Sequence, residues 1–268
     1  MIDKLLIASN AAIKAGEAIM QIYESDFSVE YKSDNSPLTM ADKNANNIIN
    51  SYLNPTGIPI ISEENKEIDY NERRYWQQVW IVDPLDGTKE FIKRNGEFTV
   101  NIALVIEGRP ILGVIFVPVS KILYIGNVEE GYVLKVKLDD YKLVLEEDLD
   151  HAQRLKLKNQ GLEIIRVVGS RSHMNDNTKQ FIKSLEAEGN QVDVVSRGSS
   201  LKFCLVAESE ADIYPRFAPT MEWDTAAGQA ICEAMNVKVI SMVSKEPMLY
   251  NKENLLNPHF LVKRMNEG

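Results

Sequence analysis

The segment Val79-Trp80-Ile81-Val82-Asp83-Pro84-Leu85-Asp86-Gly87-Thr88 sets the frame for the whole chain. Its apolar start reads as a strand. Asp83 and Asp86, at the strand's end, can converge on one point. Pro84 between them stiffens the turn and removes a competing backbone donor. Gly87 permits a tight turn, and the chain beyond it can open a short helix whose first N–H groups favour anions. Carboxylates beside such a turn make physical sense with a divalent cation between them. An Asp-Gly turn with a capping aspartate is the plainer alternative.

Outward from this segment, 58–61, 98–106, 111–117, 122–125 and 132–136 are short runs rich in Ile, Val and aromatics. Glu107-Gly108-Arg109-Pro110 lies between two of them and reads as a hairpin turn. Strands joined by short turns predict an antiparallel sheet. The first 54 residues read as helical. Leu5, Ala8, Ala12, Ala15, Ile19 and Ile22 line one face, a loop follows over Ser33-Asp34-Asn35-Ser36-Pro37, and a second helix runs from Thr39 to just before Pro55. Residues 137–160 are charged and poor in aromatics. A domain boundary is expected there, with 1–148 as an α+β half and 149–268 as an α/β half. Beyond it, strands at 164–168, 192–195, 211–214 and 237–240 alternate with helices at 177–188, 201–208 and 225–234. That alternation predicts a mostly parallel, helix-covered sheet.

The 268 residues suit one large domain or two fused smaller ones. Thirty basic against 39 acidic side chains give a net charge of −9. A nucleic-acid or anionic-membrane binder needs a basic footprint, so neither is expected. No segment marks a specific protein partner. Cys204 and Cys232 form no pair motif and read as small buried apolar residues of a reducing compartment. The start carries too short an apolar run for a signal peptide, and no run approaches the roughly 18 residues of a membrane span. The expected location is cytoplasmic.

Three further acidic motifs lie at element ends. Glu63-Glu64 follows Ile60-Ile61-Ser62, Asp42 follows Thr39 in a capping pattern, and Asp224 opens the Ala-rich segment Thr225-Ala226-Ala227-Gly228. Each has a local explanation as a surface pair or cap. Together with Asp83 and Asp86 they fit a hard-metal site of oxygen ligands, Mg²⁺ or Mn²⁺ rather than zinc. The three histidines, His151, His173 and His259, lack zinc spacing. Phosphate-loop, dinucleotide and nucleophile-elbow motifs are absent. The haloacid-dehalogenase pattern Asp-x-Asp-Gly-Thr is also unmatched. One more residue separates the acids here, which puts a nucleophilic aspartate out of register and favours attack by water.

Glu63-Glu64, Asp83-Pro84-Leu85-Asp86-Gly87-Thr88 and Trp223-Asp224-Thr225-Ala226-Ala227-Gly228 resemble the three signatures of the inositol monophosphatase superfamily, a group of Mg²⁺-dependent, lithium-sensitive phosphatases. The 35–42 segment, the stretch from Thr88 to Asn101, Gly169-Ser170-Arg171-Ser172-His173 and Gly198-Ser199-Ser200-Leu201-Lys202 resemble its 3′(2′),5′-bisphosphate nucleotidase branch. The resemblance spans most of the chain and weakens over 127–160.

The resemblance implies a layered α-β-α-β-α sandwich. It implies that Glu63, Asp83, the carbonyl of Leu85, Asp86 and Asp224 bind two or three Mg²⁺, with Mn²⁺ as a substitute. Asp42 and Thr88 would orient the attacking water, with Glu63 completing the catalytic set. Asp86, Gly87, Thr88 and Asp224 would also contact substrate. His173, Ser199, Lys202 and Arg216 would hold the ribose and second phosphate. The implied substrate is a small nucleotide bisphosphate, adenosine 3′,5′-bisphosphate, cleaved to AMP and phosphate in sulfur metabolism. An inositol- or sugar-phosphate phosphatase of the same superfamily and a silent Mg²⁺/nucleotide-binding regulator are the alternatives. Glu222, beside Asp224, is expected to add negative charge near the metals.

Overall fold

The apolar stripe of the first residues becomes α1 (Ile2–Tyr23), with Leu5, Ala8, Ala12, Ala15 and Ile19 buried. The computed structural model describes residues 1–25, 29–31, 37–158, 164–169 and 174–264, and of 29–31 and 37–39 the backbone alone. The helical reading of the first 54 residues is corrected by a short antiparallel pair, β1 (Val29–Tyr31) and β2 (Pro37–Thr39). Most of the loop expected at 33–37 lies outside the described residues. Next come α2 (Met40–Leu53), β3 (Ile60–Ser62) and α3 (Tyr70–Arg73). The central segment forms β4 (Gln78–Asp86) and opens α4 (Thr88–Ile92).

The meander continues through β5 (Thr99–Ile106), β6 (Arg109–Val117), β7 (Ile122–Asn127) and β8 (Tyr132–Lys137). Glu107 and Gly108 alone form the first turn. Both have positive φ, 49° and 75°, the pairing that matches the twist of a two-residue hairpin. After α5 (Glu146–Asp150), β9 (Gln153–Arg154) pairs with β8. Seven strands therefore run in the order β3 to β9, antiparallel except that β3 is parallel to β4. β9 lies beyond the expected 148/149 boundary.

The second half holds β10 (Ile164–Gly169), α6 (Asp176–Ala187), β11 (Gln191–Ser196), α7 (Leu201–Ala207), β12 (Ile213–Arg216), α8 (Ala226–Ala234), β13 (Val237–Ser241) and β14 (Phe260–Arg264). Their sheet order is 11-10-12-14-13. The expectation of a mostly parallel sheet is corrected here. β10 pairs in parallel with β11 and β12, but β14 inserts antiparallel between β12 and β13.

Both faces of the seven-stranded sheet are buried, so its strands read as continuous apolar runs rather than alternating ones. Trp80, Val82, Val100, Ile102 and Phe116 face α1 and α2. Val79, Ile81, Ala103, Val105 and Ile115 face a second core, made with α7, α8 and residues of the five-stranded sheet, including Tyr214, Val239 and Phe260. α6 packs on β11, so the layers run α, β, α, β, α. Among the described residues no helix is long and apolar enough to cross a membrane.

Candidate active site

Residues three apart on a regular strand point to opposite faces. Asp83 and Asp86 escape this because β4 is bulged between them. Asp83 lies opposite Asn101, and Asp86 lies opposite Thr99. Two residues, Pro84 and Leu85, thus oppose the single residue Val100. The extra residue returns Asp86 to the face of Asp83. It also keeps Leu85 on the face of Val82, in the α1/α2 core. Asp83 is 1% exposed, and its Oδ1 accepts the Leu85 N–H at 3.0 Å. Gly87, at φ 97°, turns the chain into α4, and the Thr88 hydroxyl donates to the Leu85 carbonyl oxygen at 3.4 Å.

Asp224 comes from the other half, on the turn before α8, where its Oδ2 accepts the Met221 N–H at 2.8 Å. Asp83, Asp86 and Asp224 each place a carboxylate oxygen within 4.8 Å of the other two. Burial, reinforced by Glu63, Asp86, Asp224 and Asp42, pushes the Asp83 carboxyl well above the usual range. Burial, then Asp86, pushes Asp224 up to about 7. Like charges held this close in a largely buried site disfavour ionisation unless a cation joins them. The donor set is all oxygen, which suits a hard divalent ion and fits Mg²⁺.

Beside the acids lies a cavity of about 200 Å³ lined by Asp86, Gly87, Ser199, Lys202, Arg216 and Asp224, among others. Lys202 is 7% exposed. Its Nζ donates to the Ser199 carbonyl at 2.7 Å and sits 5.7 Å from the Tyr214 ring centre. Burial lowers its ammonium to about 8. Arg216 donates through Nη2 to the Pro219 carbonyl at 3.2 Å. Among the described residues its buried Nε has no partner. One cavity therefore brings Asp86 and Asp224 together with the buried Lys202 and the half-buried Arg216, and Glu90, Glu97 and Arg197 line it as well.

Residues 2–267 match the inositol monophosphatase family. The chain belongs to that family. Among its relatives, the 3′(2′),5′-bisphosphate nucleotidase CysQ of Salmonella typhimurium is 43% identical over 255 residues, covering 94% of this chain and 96% of the relative. The Escherichia coli K12 protein of the same name is 43% identical over 256 residues with the same coverage. The crystal structure of CysQ from Bacteroides thetaiotaomicron superposes with a TM-score of 0.89 at 48% identity, covering 99% of this chain and 98% of that one. The suhB protein of Bartonella henselae, 21% identical with a TM-score of 0.72, shares the fold.

Measured against the family signatures, Asp42 is 3% exposed in the first turn of α2, and Glu63 follows β3, its N–H bonded to the Val82 carbonyl at 3.3 Å. The charges of both reach Asp83. Ser199 joins the cavity wall with φ 48°. His173 lies outside the described residues. The expectation for Glu222 is corrected. It is fully buried and points away from the cavity, accepting the N–H groups of Asn251 at 2.6 Å and Lys252 at 3.1 Å and pairing with the Lys252 ammonium. Cys204 and Cys232 are free and buried, as expected.

Sequence reasoning assigned no role to Thr99, Asn101 or Ser200. Asn101, 1% exposed in the middle of an apolar strand, donates to Ser200 Oγ at 2.9 Å and to Asp86 Oδ2 at 3.4 Å. A polar amide in a run such as Thr99-Val100-Asn101-Ile102-Ala103-Leu104 was the available signal, because strands disfavour Asn.

Proposed function

We propose that this chain is a Mg²⁺-dependent 3′(2′),5′-bisphosphate nucleotidase that releases the 3′-phosphate of adenosine 3′,5′-bisphosphate as inorganic phosphate and leaves AMP. The observation that carries this reading is one cavity lined both by Asp86 and Asp224 and by Lys202 and Arg216. A substrate with two phosphates needs both kinds of group. Near full-length identity to proteins named bisphosphate nucleotidases supports the same reading.

In this reading Glu63, Asp83, Asp86, Asp224 and the Leu85 carbonyl hold two or three Mg²⁺, and Mn²⁺ can replace them. Bound divalent ions would supply Lewis-acid stabilisation of phosphate charge and acidify water. Asp42 and Thr88 orient the attacking water. Lys202, Arg216 and Ser199 receive the second phosphate and ribose, with His173 as a further contact. Burial strengthens the attraction of Lys202 for an anion by lowering the local dielectric. No residue needs to form a covalent phosphoryl intermediate.

Phosphate release from adenosine 3′,5′-bisphosphate, inositol 1-phosphate, fructose 1,6-bisphosphate and AMP, with and without Li⁺, tests the reading. The bisphosphate nucleotide should turn over fastest, need Mg²⁺ and be inhibited by Li⁺. Asp86→Asn should abolish turnover. Lys202→Ala should raise KM for the bisphosphate about 10-fold or more and leave inositol 1-phosphate within twofold. Equal losses on both substrates would reject the distal-phosphate assignment, and full turnover in excess chelator would reject the enzyme reading.

A further inference from the structure

Ser200 occupies the N-cap position of α7, yet its side chain makes no capping bond. Serine is favoured there because its oxygen satisfies a free N–H of the first turn. Here the hydroxyl is diverted. Ser200 Oγ lies 2.8 Å from Asp86 Oδ2 and 3.0 Å from the Asp224 carbonyl oxygen, and it accepts an N–H of Asn101 at 2.9 Å. Asn101 sends its other N–H to Asp86 Oδ2 at 3.4 Å. Its own Oδ1 accepts the Thr99 hydroxyl at 2.9 Å, which fixes the amide's orientation. Asp86 Oδ1 accepts no hydrogen bond among the described residues.

We propose that Asn101 and Ser200 are positioning residues that clamp Asp86 through Oδ2 and turn Oδ1 toward the cation site, the single Ser200 proton going to the nearer acceptor, Asp86. A carboxylate at the end of a strand can rotate about Cβ–Cγ. Two donors on one oxygen stop that rotation, as supporting hydrogen bonds do for metal-ligating carboxylates elsewhere. The local geometry argues against a purely architectural role. Both residues are buried polar groups whose side-chain bonds among the described residues run to one another, to Thr99, to Asp86 and to the Asp224 carbonyl, and α7 gains no cap from Ser200. Removing the Ser200 hydroxyl therefore leaves the helix start as it is and strips a donor from Asp86.

The inference rests on the reading of Asp86 as a metal ligand, and the test separates the two. Mg²⁺ binding without substrate is measured by titration calorimetry on the wild type, Ser200→Ala, Ser200→Thr, Asn101→Leu and Asp86→Asn, with circular dichroism and thermal melting as the check on folding. Ser200→Ala and Asn101→Leu should bind Mg²⁺ roughly 10–100-fold more weakly. Ser200→Thr, which keeps the hydroxyl, should return close to wild type. At saturating Mg²⁺, Ser200→Ala should recover most of its kcat, because the missing contact acts on cation binding. Wild-type Mg²⁺ affinity in folded Ser200→Ala, with affinity lost in Asp86→Asn, overturns the clamp alone. Wild-type affinity in Asp86→Asn overturns the ligand reading beneath it. If Asn101→Leu does not fold, the Ser200→Ala and Ser200→Thr pair decides.

Discussion

Asp224 is ionised with difficulty. Burial and the Asp86 charge lift its folded-state value to about 7, against 3.8 for the free side chain. Between those values the folded chain holds a proton that the unfolded chain has lost. Stability of the metal-free protein should therefore fall as pH rises from about 4 to about 7. In excess chelator, Tm should increase by several degrees between pH 7.5 and pH 5.5. Mg²⁺ should flatten the trend, and Asp224→Asn should remove much of it. Differential scanning fluorimetry checks this, and a chelated protein whose Tm rises with pH would contradict it. The acids themselves were legible because each sits at the end of an apolar run or the start of a helix. Asn101 and Ser200 were not. Their contacts reach Asp86 across gaps of 15 and 114 residues, and a serine before a helix has a local explanation that hides a distant one.

At the scale of the element, the bulge in β4 makes a site out of the Asp-Pro-Leu-Asp spacing. Deleting Leu85 removes the bulge. Asp86 then follows Asp83 by two positions and stays on its face, but the turn between the acids is straightened, the Leu85 carbonyl is lost from it and the Leu85 side chain is lost from the α1/α2 core. Mg²⁺ affinity should drop more than about 100-fold, beyond the loss of a supporting contact, with circular dichroism reporting whether the sheet persists. A deletion variant that binds Mg²⁺ normally would show that the register shift is irrelevant. The buried strands of the first sheet were readable because both of their faces are covered, which leaves uninterrupted Ile, Val and Leu. The edge partner β3 was readable as a strand but not as parallel, since direction comes from the path of α2 before it. The last strand escaped notice. Phe260-Leu261-Val262 runs straight into Lys263-Arg264, and its place between β12 and β13 depends on pairing with residues 19 to 50 positions earlier in the chain.

Across the whole molecule, the distance between halves is set where α8 crosses the first sheet. Gly113 and Gly126 are direct partners on β6 and β7. A Cβ on Gly113 would lie 2.3 Å from the Ala227 carbonyl oxygen, and one on Gly126 would lie 2.8 Å from the Ile231 Cα. Those contacts are backbone, so α8 itself would have to lift. Gly113→Ala should destabilise the protein by about 1–3 kcal/mol. Well below its Tm it should still bind Mg²⁺ more weakly, because Asp224 stands just before α8. Destabilisation with unchanged Mg²⁺ affinity would refute that link. Residues on both sides of 148/149 share one core, from Ile61 and Val105 to Val168 and Phe260. We propose that this boundary marks a change of sheet pattern rather than two independently packed units.

Local chemistry was enough to determine most strands of the first sheet, the main helices, the place of the acids at element ends and the resemblance to the family, because apolar runs, caps and short motifs are properties of neighbouring residues. Only the tertiary structure decided that the bulge places Asp83 and Asp86 on one face, that Glu222 turns to Lys252, that β14 splits the second sheet, and that Ser200 reaches Asp86. Each of these depends on which groups meet across long stretches of chain, and that is settled by packing and by the need to partner every buried polar atom.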